Sequence, residues 1–467
     1  MTKEKGSSSI SVKSFITATI IIFALMVITY VLTFVIPAGV YKEKTLANGD
    51  VVLDMDAGFT YVKGGIPFWK WILSPFLVLG ADGGITVIAI IIFLLVIGGT
   101  FACLDKCGLI KYILNKITNR FGNSRYGLMA IVVLFFMALG SIVGSFEEVV
   151  PLVPIVVALA VALGWDVLTG VSMSILATGC GFAAGVCNPF TVGTAQELAK
   201  LPMFSGVWLR IVAFVLIYGL LLLFIYKHAK KVEKPIDFEG IKNQYVKDPK
   251  LDKASIWFVS ILAVGILTII LSGFISALQD FTMIIVAVMF LIIGIVCPIV
   301  SGKLSGKEHL KTFMNGVLGL LPAVLMILMA SSIKYTMEEA KILHTILHWV
   351  SGIAGTLPHW TIILFIYLIV LVMNFFIPSG SAKAFLLIPL IIPIATALNI
   401  SPQLCIVAFA FGDGFSNVIY PTNPVLLISL GVSETSYGKW AKHTALFQVA
   451  VLFLTAGLLL FGYAVGY

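Results

Sequence analysis

The apolar segment 168–199 is 32 residues long. As one straight helix it would extend about 48 Å at 1.5 Å per residue, against about 30 Å of hydrocarbon in a bilayer. Cys187-Asn188-Pro189 stands near its middle. Proline has no N–H and frees the carbonyl one turn back, so the helix is expected to break at mid-depth. Asn423-Pro424 interrupts segment 402–436 in the same way. The two pairs lie 235 residues apart, and the same offset superposes Pro154 on Pro389, Ala162-Leu163 on Ala397-Leu398 and Gly179 on Gly414. Matching polar breaks in the two halves of a membrane chain point to a transporter binding site.

Composition places the chain in a bilayer. Its 467 residues are 60% hydrophobic and 11% charged, with a mean hydropathy of +1.09, far more apolar surface than a soluble domain of this size needs. The net charge of +8 does not imply nucleic acid, because the basic residues sit in short loops between apolar runs. The six cysteines (Cys103, Cys107, Cys180, Cys187, Cys297, Cys405) lie mostly in or beside apolar segments without C-x-x-C spacing, and read as small membrane residues. The polar stretch 1–14 leads into a full apolar run without a small-residue cleavage site, so a retained first span is expected.

Nine spans are expected: 15–38, 83–104, 168–199, 207–226, 255–276, 281–300, 314–333, 402–436 and 444–465. Stretches 127–163 and 361–398 are too long for one crossing. Gly144-Ser145-Phe146-Glu147-Glu148 interrupts the first and Pro378-Ser379-Gly380-Ser381-Ala382-Lys383 the second. Neither has a hydrophilic linker, which favours a re-entrant hairpin with the polar cluster at its tip over two full crossings. On that reading the inside segments carry 21 Lys/Arg and the outside segments and span ends 8, with Lys383 left inside the membrane. The N-terminus is then cytoplasmic and the C-terminus external. The expected fold is an all-α polytopic membrane protein of two inverted repeats, each with a re-entrant hairpin and a broken helix: residues 1–226, a cytoplasmic linker and connecting span 227–276, and residues 277–467. Stretches 66–79 and 307–320 read as interfacial helices.

Carbonyls freed at the breaks, with the Asn188 and Asn423 side chains, can ligate Na⁺ or a substrate, and Thr191, Thr194, Thr422, Ser416 and Asn417 flank them. Glu147 and Glu148 begin the second helix of the first hairpin, where the positive end of the helix dipole offsets part of the cost of a carboxylate in the bilayer, at least ~3 kcal/mol. They suit proton acceptance, cation coordination or an amino group; the alternative is solvation in an aqueous vestibule. Lys383 takes the corresponding place in the second hairpin and needs a counter-charge, for which a substrate carboxylate and Asp413 are the candidates; the alternative is snorkelling to the outer face. Asp413 reads equally as lining the substrate path or as a packing hydrogen-bonder. There is no Walker A or H-E-x-x-H motif, so uphill transport would be driven by an ion gradient, Na⁺ or H⁺, or by exchange, without a bound cofactor. An intramembrane enzyme using Glu147 and Glu148 as acid and base lacks any completing motif, and the chain is read as non-enzymatic.

At these residues the chain resembles the C4-dicarboxylate anaerobic carrier family, DcuC-like and particularly its YfcC branch, within the ion-transporter superfamily. The resemblance covers nearly the whole chain. It is carried by Gly-Ser-Phe-Glu-Glu at 144–148, Cys-Asn-Pro-Phe-Thr-Val-Gly at 187–193, Ile-Pro-Ser-Gly-Ser at 377–381, Gly-Asp-Gly-Phe-Ser-Asn at 412–417 and Pro-Thr-Asn-Pro at 421–424. It implies two inverted repeats, a scaffold and a mobile transport domain, a homodimer, and elevator-like alternating access. It also implies that Ser145, Ser379 and Ser381, with Asn188 and Asn423, surround the substrate, and that Ser145, Asn188, Ser381 and Asn423 hold any Na⁺. An acidic tip facing one with a lysine suits an amino acid better than a C4-dicarboxylate. The expected function is a secondary transporter in the cell membrane for a small carboxylate-bearing metabolite, an amino acid ahead of a dicarboxylate. A channel is the alternative of another class.

Overall fold

The structure is a computed structural model that describes residues 12–45, 51–81, 83–121, 124–144, 146–236, 247–272, 282–354, 357–398 and 400–467. Ser145 and most of the polar N-terminus, 1–11, therefore lie outside the described residues, as do 237–246 of the linker. Eight helices among the described residues are long and apolar enough to cross a membrane. The only sheet among them is a two-stranded hairpin, so this is an all-α multi-pass architecture.

Each expected full span is helical. The first four elements are Val12–Val35, Gly84–Lys106, the broken segment Val167–Leu198, and Val207–Val232. Pro249–Ser272 and Thr282–Ser301 follow, then Leu321–Glu339, the broken pair Pro402–Asn417 and Pro424–Val432, and Tyr437–Ala464. Several boundaries differ from expectation, among them the ninth span, which begins at Tyr437, not 444, and the seventh, which runs on to Glu339, not 333. The fourth span continues to Val232, because Lys227, Lys230 and Lys231 are good helix formers at a C-terminus that welcomes cations. The fifth begins at Pro249, already helical through the charged residues to Lys253. The seventh begins at Leu321, not 314, because Pro322 is tolerated only in a first turn. The preceding helix, Gly306–Gly319, starts in a capping box of Ser305 and Glu308.

Each polar-tipped stretch folds as two helical arms. The first comprises Arg125–Ala138 continued by a π-turn to Val143, then a 3₁₀ turn Glu147–Leu152 and helix Val153–Ala162. The second comprises His359–Phe376 and Gly380–Ala397. Three further elements arise where none was expected. Strands Gly39–Thr45 and Val51–Tyr61 pair as an antiparallel hairpin; the Asn48-Gly49 between them is the sequence signal for such a turn. Leu109–Phe121 is an amphipathic helix with Ile110, Ile113, Leu114 and Ile117 on one face. Helix Leu343–Ala354 packs on the strand hairpin, where Tyr41 N–H donates to His344 Nδ1 at 3.2 Å and Phe59 stacks on His348.

Packing divides these elements into two sets. Helices 12–35, 68–77, 84–106, 249–272, 282–301, 306–319 and 321–339 contact chiefly one another. The two hairpins, both broken segments, 207–232 and 437–464 form the second set, with thinner contacts between the sets. Among the eight long helices the broken segment Val167–Leu198 is the most enclosed, with 89% of its most apolar stretch buried against 22% for Pro249–Thr268. Exposed apolar side chains such as Ile256, Leu446 and Phe453 cover the outside, as lipid contact requires. Helix 177–184 crosses helix 402–417 with Gly414 on the Ala183 backbone and Gly179 on Val418, leaving no space for a Cβ at either glycine. That antiparallel crossing overlaps the ends of the two half-helices that precede the breaks.

Candidate functional site

The site is built from two helix restarts. Helix 177–184 ends at Gly185 in the left-handed conformation (φ 50°, ψ 46°). The chain resumes at Asn188, an extended residue whose Oδ1 accepts the N–H groups of Phe190 at 3.0 Å and Thr191 at 3.2 Å. Asn423 does the same: its Oδ1 accepts from Val425 at 2.9 Å and Leu426 at 3.3 Å, with Pro424 in the first helical position. Each Asn-Pro pair is thus an N-cap followed by a proline whose missing N–H costs nothing there. The local role of both asparagine oxygens is to start the second half-helix. Each oxygen is committed to two N–H donors of the half-helix it starts.

The first hairpin tip docks on the first break. Cys187 N–H donates to the Ser141 carbonyl at 3.0 Å and Val186 N–H to Ser141 Oγ at 3.0 Å. Gly144, at φ 76°, lies against the Asn188 amide and the Phe190 ring, so a side chain there would collide with both. Ser145, assigned to substrate and Na⁺ by resemblance, lies outside the described residues. Glu147 and Glu148 occupy the first turn after the tip, as expected, and both are half-buried. Among the described residues neither forms an ion pair. Glu147 is close enough to Asp413 to feel its charge. Glu148 lines a small apolar cavity with Leu262, Ile266, Val286 and Phe290, at the boundary between the two packing sets.

The second hairpin tip docks on the helix before the second break. Lys383 is fully buried, and its Nζ donates to Asp413 Oδ1 at 2.6 Å, to the Ile377 carbonyl at 3.1 Å and to Asn374 Oδ1. The counter-charge is therefore Asp413, and neither snorkelling nor a free ammonium awaiting a carboxylate describes Lys383. Asn374 Nδ2, with two N–H groups to donate, lies within hydrogen-bond distance of three acceptors, the Asp413 carbonyl at 3.0 Å, Ser416 Oγ at 2.6 Å and Asn417 Oδ1 at 2.9 Å. Asn417 Oδ1 also accepts Asn423 Nδ2 at 2.9 Å, linking hairpin to break. Ser379 is exposed and caps its own turn, its Oγ accepting Ala382 N–H at 3.4 Å; Ser381 is half-buried. Gly380 lies against both Thr191 and Asp413 Oδ2, so the second tip reaches the first break as well.

The two breaks and two tips therefore converge. Four side-chain atoms in this cluster are buried without a hydrogen-bond partner: Asn188 Nδ2, Thr191 Oγ1, Asp413 Oδ2 and Thr422 Oγ1. Buried polar groups are ordinarily paired, and an orphan typically costs about 1–3 kcal/mol. Sequence reasoning missed Asn374, whose only signal is a lone amide near the end of an apolar run, and Ser141, which lies three residues before the tip motif.

Broken apolar helices, hairpins docked on the breaks and a polar cluster buried among them define a multi-pass membrane transporter, not an enzyme. The chain belongs to the C4-dicarboxylate anaerobic carrier family, DcuC, whose model matches residues 15–464. It is 31% identical over 402 residues to "Putative basic amino acid antiporter YfcC" of Escherichia coli (strain K12), covering 81% of this chain and 78% of that protein. An uncharacterized protein of Haemophilus influenzae (strain ATCC 51907 / DSM 11121 / KW20 / Rd) is 25% identical over 373 residues, 77% of this chain and 72% of that one. Among solved structures, the YdaH transporter of Alcanivorax borkumensis aligns over 96% of this chain and 99% of its own at 18% identity and a TM-score of 0.47. MtrF of Neisseria gonorrhoeae aligns over 95% and 94% at 15% identity and 0.42.

Proposed function

We propose that this carrier is a secondary active transporter of an amino acid, driven by an ion gradient or by exchange, and that it works by elevator-type alternating access. The observation that carries the reading is the set of orphaned polar atoms at the breaks. Asn188 Nδ2 is a donor for a carboxylate, and Asp413 Oδ2 is an acceptor for an ammonium or guanidinium. Thr191 and Thr422 hydroxyls serve either. A ligand with both groups satisfies both ends, whereas a C4-dicarboxylate brings a second anion toward Asp413 and Glu147. The name of the Escherichia coli relative, which refers to basic amino acids, supports the same class; the family's name keeps the dicarboxylate as the second reading.

The elevator part of the proposal draws on the two packing sets. The set containing hairpins and breaks moves as a unit against the set built on 12–35, 84–106, 282–301 and 321–339, and the thinner contacts between them suit sliding. Two inverted repeats and a cytoplasmic N-terminus complete it, supported by the recurring order of span, span, hairpin, broken span and span, and by the 21-to-8 charge asymmetry, and the family resemblance adds a homodimer.

Purified protein in proteoliposomes tests this reading. Labelled arginine, lysine, neutral amino acids and succinate are offered with imposed Na⁺ or proton gradients, or with unlabelled substrate preloaded. The expected result is amino-acid uptake accelerated by preloaded amino acid or by one ion gradient. Uptake of dicarboxylate alone overturns the substrate class, and gradient-driven flux without countertransport or ion coupling overturns the carrier mechanism in favour of a channel.

A further inference from the structure

Lys383 is saturated. Its ammonium has three N–H groups and meets three oxygens: Asp413 Oδ1, the Ile377 carbonyl and Asn374 Oδ1. A carboxylate, a main-chain carbonyl and an amide oxygen are the kinds of ligand with which proteins hold hard metal cations. Of the three, Asn374 is held by contacts that do not involve the lysine. The two N–H groups of Asn374 Nδ2 face the Asp413 carbonyl, Ser416 Oγ and Asn417 Oδ1, which turns its oxygen toward Nζ. Ile377 leaves the end of helix 359–376 (φ −124°, ψ 87°), so its carbonyl is not part of the helix ladder. Asp413 sits on helix 402–417, buried throughout from Leu404 to Asn417.

We propose that Lys383 is a tethered cation filling an oxygen cage at the second hairpin that otherwise takes an alkali-metal ion. The wild-type chain accordingly binds no Na⁺ there, and any coupling cation is held elsewhere. Asp413 bridges the cage to the substrate cluster, because its second oxygen, Oδ2, faces Thr191 across Gly380. The filled cage thus holds Asp413 in place beside the ligand without help from an external ion.

The experiment measures thermal stability in nanodiscs in NaCl, LiCl, KCl and choline chloride at equal ionic strength, with no substrate present. Lys383→Ala and Lys383→Gln empty the cage. The expected result is a saturable upward shift of several degrees with Na⁺ or Li⁺ over choline in these variants, beyond any shift of the wild type. Adding Asp413→Asn to either variant removes it. The same salt response in wild type and variants overturns the proposal. So does stability of the variants that follows pH and ignores the cation, since that means Asp413 takes a proton instead. Failure of both variants to fold in every salt also overturns it, because a cage shaped for small cations is refillable by them. The readout needs no substrate, so a negative result here leaves the transport reading standing, and failure of amino-acid uptake leaves this response untouched.

Discussion

Lys383 Nζ lies 2.6 Å from Asp413 Oδ1, and both side chains are wholly shielded from solvent. The pair pins the second hairpin to the helix that precedes the second break. Breaking a buried pair from one side leaves an uncompensated charge and typically costs about 3–5 kcal/mol. Asp413→Ala is therefore expected to lower the unfolding temperature and membrane abundance sharply, and Asp413→Ala combined with Lys383→Met to recover much of the loss. Fluorescence-detected gel filtration after heating measures both, and equal damage in single and double variants would sink the assignment.

Asn188 combines two functions that one substitution can separate. Its Oδ1 caps the half-helix, and its Nδ2 is unpartnered and buried. Serine is a comparable N-cap but lacks the second donor. Asn188→Ser should keep near-wild-type abundance and reduce uptake at least about tenfold, the scale of one lost hydrogen bond of about 1.4 kcal/mol to a charged group. Asn188→Ala should add about 1 kcal/mol of destabilisation from the lost cap. Unchanged uptake by Asn188→Ser would remove the donor from the site.

Asp166 precedes the first residue of the broken segment and caps it. Burial by itself raises its pKa. Hydrogen bonds from His228 at 3.0 Å, from the Thr169 hydroxyl and from the Thr169 N–H outweigh burial and hold the carboxyl down at about 2. A carboxyl depressed in the folded state contributes stability at pH values above its ordinary value of 3.8 and loses it as pH falls toward about 2. Asp166→Ala should thus unfold at a lower temperature than wild type at pH 5–7, with the gap closing as pH falls from about 4 toward 2. A pH series of thermal unfolding checks the sign; a gap that widens on acidification contradicts it.

Charge asymmetry assigns Lys63 to the outside and Lys231 to the cytoplasm, and both are exposed. Cysteine at position 63 in a background lacking native cysteines should react with a membrane-impermeant maleimide in intact cells. Cysteine at 231 should react only after permeabilisation. The reverse pattern would invert the topology.

Much of the fold was legible because a bilayer imposes few solutions. Each apolar run of sufficient length became a helix, and the polar interruptions at 144–148 and 378–383 became tips between helical arms. Legibility failed where water returns. The strand hairpin, helix 109–121 and helix 343–354 lie outside the long apolar runs and answer to local turn and amphipathic signals that hydropathy averages away. Asn188, Asn423, Asp413 and Lys383 stood out in the sequence because each is polar within apolar surroundings. Asn374 has the same character but is a single amide without a neighbouring motif, and its part emerges from three partners more than 38 positions further along the chain.

By itself, the sequence determined the membrane class, the two arms of each hairpin and the location of both breaks, since proline and polar residues in hydrocarbon permit little else. Tertiary structure decided what those residues do. The glycine-lined, antiparallel crossing of helices 177–184 and 402–417, with the second tip at Gly380, brings Thr191 of the first break to Asp413. The asparagine oxygens cap locally, on N–H groups two and three residues on, but the packing leaves Asn188 Nδ2 and Asp413 Oδ2 buried and unpartnered. Which hydrogen-bonding groups are already satisfied depends on neighbours distant in sequence, and spacing along the chain does not specify those contacts.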